Sequence, residues 1–173
     1  RVVPEPSPWP VVLRSGGDLT TNLEGFRSWN RLQGNLGDYV IRLVASPEIE
    51  VLRPGAEVVA AELAAISGTS VQVASGTVPT PPAPAAQLQP ARGEIRVVVS
   101  NLTPCGSAVI GCGEVQVLNG TGDRGSVWIT SQGLGLSSQR RTSLLRHEIG
   151  HALGLDHYQQ PFGGQMQVMA SSQ

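Results

Sequence analysis

Between Tyr39 and Ala45 the chain reads YVIRLVA, an alternation of inward and outward positions that predicts a strand. The period then changes. After Pro54 and Gly55, the run AEVVAAELAAIS sets Val58, Ala61 and Ala65, with Leu63 and Ile66 beside them, on the apolar face of a predicted helix. Gly68 ends that helix, and TSVQVASG follows as a strand. The stretch from Pro79 to Gly93, PTPPAPAAQLQPARG, holds too many prolines for a regular element. Both of its flanks read as parts of one sheet, which makes it a surface insertion rather than a linker. EIRVVVSN, from Glu94 to Asn101, is apolar enough to lie in the sheet centre. EVQVLN and SVWITSQ predict two further strands separated by GTGDRG, a hairpin or loop in which a calcium ion at Asp123 is the alternative reading. Leu145, Ile149 and Ala152 then recur at i, i+4 and i+7 and would anchor a last helix to the core. Ser137 or Ser138 can cap it. Gly150 costs that helix about 1 kcal/mol relative to alanine, tolerable where a second element packs closely.

The order strand, helix, strand, strand, strand, strand, helix predicts an α+β domain around a mixed sheet of about five strands. Residues 39–173 form that domain, and residues 1–38 read as an N-terminal extension or a pro-segment-like region. In the extension, RVVPEPSPWP is too proline-rich for a helix, while Leu23 to Leu32 could form a short one with Phe26 and Trp29 turned inward. At 173 residues the whole has room for one sizeable core.

Charge and cysteines narrow the setting. A net charge of -1 points to neither a nucleic-acid nor a membrane partner. No apolar run approaches the roughly 18 residues of a membrane span. The sequence starts at Arg1 without a signal peptide, which a mature secreted protein would have lost. All 12 basic residues are arginine, which with abundant Ala, Val, Gly and Pro suggests a GC-rich bacterial genome. Cys105 and Cys112 are spaced too widely for a C-x-x-C site and read as a disulfide that staples a loop, with two buried thiols as the alternative. Such a bond would stabilise the fold by roughly 2–3 kcal/mol and place the protein outside the cytoplasm. Asn101 and Asn119 stand in N-x-T sequons, relevant only where the source glycosylates.

The chemistry is concentrated in HEIGHALGLDH, from His147 to His157. Residues four apart lie on one face of a helix, so His147 and His151 can reach a single metal ion with Glu148 alongside as general base. Gly154 lets the chain leave the helix in a left-handed conformation. That turn can bring His157 back as a third ligand, leaving the fourth position of a zinc ion for water. The bland alternative is two core histidines and an ordinary helix stop. It requires a chance match to all five fixed positions of H-E-x-x-H-x-x-G-x-x-H, on the order of 1 in 10⁵ for a chain of this length, and all three histidines of the chain fall inside the motif.

This motif resembles that of the metzincin clan of zinc endopeptidases, and its form is most similar to the matrixin branch. The likeness is close over about the last 30 residues and looser, in element order, over the rest. The resemblance implies Zn²⁺ ligands at His147, His151 and His157 and a catalytic base at Glu148. It also implies a zincin fold: a twisted mixed sheet, a backing helix, an active-site helix and a small C-terminal subdomain. A methionine in a tight turn beneath the metal is expected as well, and Met169 suits it better than Met166. In that family an edge strand pairs with substrate, a role for which EVQVLN is the candidate. Cys105-Gly106 resembles a matrixin latency cysteine but lacks its flanking residues.

Some positions depart from the family. Tyr158 follows the third histidine where matrixins usually carry serine. Ser171, two places after Met169, replaces a tyrosine of the astacin-like and serralysin-like branches, which disfavours both. Asp156 falls one residue short of the spacing for a third ligand, which favours His157. With four residues after Met169, the helix that completes the lower subdomain is expected to be missing. The expected protein is a secreted, monomeric zinc endopeptidase acting on protein or peptide substrates. Two rivals use the same residues: a zinc-stabilised binding or adhesion module without turnover, and a zinc amidase acting on cell-wall peptides.

Overall fold

The computed structural model describes residues 38–81, 88–118 and 121–155. Five strands form one mixed sheet: β1 (Tyr39–Leu43), β2 (Val71–Val73), β3 (Glu94–Val99), β4 (Gly111–Leu118) and β5 (Thr121–Ile129), in the order β2-β1-β3-β5-β4. β2, β1, β3 and β5 run parallel, and β4 closes one edge antiparallel to β5. Three helices accompany them: α1 (Arg53–Ser67) after a 3-10 turn, the short α2 (Ser131–Leu134), and α3 (Ser138–Ala152). The α+β class and five-stranded mixed sheet expected from the pattern are present, and EIRVVVSN supplies the central strand.

Strand alternation decides which residues enter the core. Ile41, Leu43, Ile95, Val97, Val127 and Ile129 point to the helix side, where they meet α1 and α3. The anchors read from sequence, Leu145, Ile149 and Ala152, are all fully buried there. Burial of each large aliphatic chain contributes roughly 1.5–3 kcal/mol. On the other side, Val98, Cys112 and Trp128 pack with Val44 and Leu88. That face also carries the buried carboxylate of Glu94, held by Arg42 at 2.7 Å and Arg96 at 2.6 Å.

Three expectations need correction. The buried stripe of α1 is Ala56, Val59, Ala60 and Leu63, whereas Val58 is 45% exposed and Ala61 and Ala65 lie on the outer face. The helix is apolar on two sides, so periodicity alone admits both, and the stripe that repeats at i, i+3, i+4 and i+7 wins. β4 begins three residues before EVQVLN, and β5 takes in most of GTGDRG. Residues that read as a turn are held in a ladder because β4 supplies their backbone partners, with a register shift at Gln116/Val117. β5 stops at Ile129, since Thr130 turns to cap α2 and its side chain accepts from the Gly133 amide.

Ser137, not Ser138, caps α3 by accepting from the Arg140 amide. Arg146 then joins α3 to α1 through a forked pair with Glu62, at 2.8 Å and 2.7 Å. Cys105 and Cys112 are bonded, with Cα atoms 5.9 Å apart. Among the described residues, no helix is long and apolar enough to cross a membrane.

Candidate metal centre

α3 lies across β4 and β5 more closely than side chains would allow. A Cβ on Gly113 would collide with the Glu148 carbonyl oxygen and stand 2.9 Å from the Cβ of His151. A Cβ on Gly125 would collide with the Ala152 carbonyl oxygen. Bare backbone at these two strand positions sets the depth at which the helix, and every side chain on it, meets the sheet.

At that depth His147 and His151 stand one turn apart, their rings edge to face at 86° with centroids 4.7 Å apart. Their Nε2 atoms approach to 3.2 Å. Two ligands of one tetrahedral zinc, each about 2.0–2.1 Å from the ion, would be separated by about 3.3–3.4 Å. The pair therefore fits a shared zinc ion closely.

The helix end reinforces the fit. Gly154 has φ +105°, in the region that side chains disfavour. The Gly154 amide donates to His151 O at 2.9 Å, and the Leu155 amide donates to Gly150 O at 3.0 Å. This pair of bonds is a Schellman turn, and Leu155 and Ile149 are buried in the same core beside it. The reversal delivers the Leu155 carbonyl to His151 Nδ1 at 2.8 Å. A carbonyl only accepts, so Nδ1 carries the proton, and in the neutral ring Nε2 keeps its lone pair for a metal.

Glu148 sits between the two histidines in sequence and is 6% exposed. Its Cγ lies 3.1 Å, and its Oε1 3.4 Å, from where a Cβ on Gly111 would stand, with Leu144 Cδ1 at 3.1 Å from the same point. Burial pushes its carboxyl from 4.5 up to about 7.

His147 and His151 are thus brought together as their spacing requires, while the Glu148 side chain lies against Gly111. His157 and Met169 lie outside the described residues, as do Met166, Asp156, Tyr158 and Ser171. Among the described residues no three His, Cys, Asp or Glu side chains form a complete ligand set. At Asp123, one carboxylate oxygen takes Arg92 at 3.0 Å and the other Arg124 at 2.9 Å. A calcium ion there would have to displace both guanidinium groups, a poor fit.

The sequence reading missed the Leu155 carbonyl and the glycines at 111, 113 and 125. GCG at alternate strand positions was the available signal, because it leaves one strand face without side chains. No family model and no curated protein matches the chain.

Proposed function

We propose that this chain is a metzincin-like, matrixin-like zinc endopeptidase. The observation that carries the reading is the 3.2 Å approach of His147 and His151 Nε2, on the helix that also carries the buried Glu148. The order of strands and helices, with an antiparallel edge strand next to α3, supports the zincin architecture. His157 completes the ligand set on this reading, and Met169 forms the turn beneath it. Zinc, when bound, supplies Lewis acidity that acidifies water toward a pKa of roughly 7 and polarises the scissile carbonyl.

The chain's own residues do the rest. The Leu155 carbonyl fixes the tautomer and ring orientation of His151. Glu148 accepts the proton of the attacking water and returns it to the departing amine nitrogen. Leu144 and the backbone of Gly111 pack beside the Glu148 side chain and limit the access of bulk water to it. The disulfide supports a site of action outside the cytoplasm, where a monomer would meet protein or peptide substrates.

The test is cleavage of casein or a quenched peptide library, with and without a chelator, by the wild type and Glu148→Ala. Wild-type cleavage that the chelator abolishes, together with a variant that retains zinc and is inactive, is the expected result. Undiminished cleavage by Glu148→Ala would refute the base assignment. Stoichiometric zinc without turnover of any peptide would favour the binding module instead.

A further inference from the structure

The disulfide and the candidate site meet at one corner. Cys105 belongs to an exposed loop, while Cys112 is buried in β4 against Trp128 and Val98. Among the described residues, the hydrogen bonds of residues 102–109 run only to Ser100 and to one another. The covalent bond is therefore what ties this loop to the sheet. Just beyond it, the Ile110 carbonyl accepts from the Thr130 amide at 3.1 Å and from the Thr130 hydroxyl at 3.0 Å. Gly111, between Ile110 and Cys112, is the backbone that lies against Glu148 Cγ. Trp128 stands opposite Cys112 in the ladder, in the second pair of β4 with β5 after Gly111 and Ile129.

We propose that the Cys105–Cys112 disulfide is a positioning element of the Glu148 pocket, holding the Ile110–Cys112 corner as its wall and making the site sensitive to thiols. A dithiol reductant supplies two electrons and two protons, leaving two cysteine thiols and becoming a disulfide itself. Attack is open from the Cys105 side, which lies in the exposed loop. Once cut, the loop is held only at its ends, and the corner opens locally while the helix-side core stays intact.

The deciding measurement is the NOE between Gly111 Hα and Glu148 Hγ in the isotope-labelled, metal-free full chain. Reduction by a small dithiol should weaken it by at least about threefold, and C105S/C112S should do the same, while contacts between Leu43 and Val97 persist. An undiminished NOE in both samples overturns the proposal. So does loss of the Leu43–Val97 contacts in parallel, because the bond would then only stabilise the fold. For catalysis, the consequence rests on the endopeptidase reading: kcat should fall by about tenfold on reduction at unchanged KM and return on reoxidation. A wild type that cleaves no peptide removes that reading but leaves the NOE result to decide this one.

Discussion

Replacing Glu148 by glutamine in the metal-free protein tests how strongly the pocket disfavours charge. The carboxyl rises from 4.5 to about 7, with burial as the cause. Since its folded-state pKa is raised, its contribution to stability is complete below about pH 4.5 and is lost as pH rises through about 7. The full loss is about 3 kcal/mol at 1.36 kcal/mol per unit, undiscounted because the side chain is buried. Glutamine keeps the shape and cannot ionise. Thermal unfolding in the presence of a chelator should therefore show the two proteins within about 1 kcal/mol of each other near pH 4. Near pH 8 the variant should be the more stable by about 3 kcal/mol, a midpoint difference on the order of 10 °C. The difference between the proteins isolates Glu148, because every other residue is the same in both. Added zinc should shrink the gap, because a cation beside the carboxylate offsets its desolvation. Parallel stability–pH curves for the two chelated proteins would refute the reasoning, since they would mean that Glu148 ionises as freely folded as unfolded.

Gly113→Ala places a methyl against the Glu148 carbonyl, so it should destabilise the fold by about 1–3 kcal/mol in denaturant titrations; a change below about 0.5 kcal/mol would show that α3 does not lie this close. Gly154→Ala should cost about 1–2 kcal/mol and, by shifting the Leu155 carbonyl, weaken zinc binding by about 10–100-fold in competition with a chromogenic chelator. Unaltered zinc affinity there would deny the carbonyl its orienting role. Ile149→Ala, in the core beneath the histidines, should lose about 2–5 kcal/mol by calorimetry, and a smaller loss would place α3 off the core.

How much of this was legible depends on whether one residue's pattern or two elements' meeting decides the outcome. β3 was readable because a run buried on both faces needs little context, and α3 was readable because Leu145, Ile149 and Ala152 admit one inward face. The histidine pair was readable for the same reason: helical spacing alone puts both rings on one side. The inner face of α1 was not, since Val58 and Val59 are adjacent and only the sheet beneath chooses between them. The first half of β5 was hidden because its composition argues for a turn while pairing with β4 argues for a strand, and pairing won.

The glycines under α3 show the same logic at the site. Gly111 and Gly113 on β4, like Gly125 on β5, have little to recommend them locally, because glycine weakens a strand. They make sense once the helix carrying His147, Glu148 and His151 must approach the sheet to backbone contact. Depth then links the two halves of the chemistry. A helix held further out by even one methyl would leave the histidine pair intact, since both rings ride on successive turns of the same helix. It would, however, withdraw Glu148 from the Gly111 wall and hydrate its carboxyl. Metal affinity and base strength should therefore respond separately to substitution, with Gly111, which lies against the Glu148 side chain, governing the second and Gly154 the first.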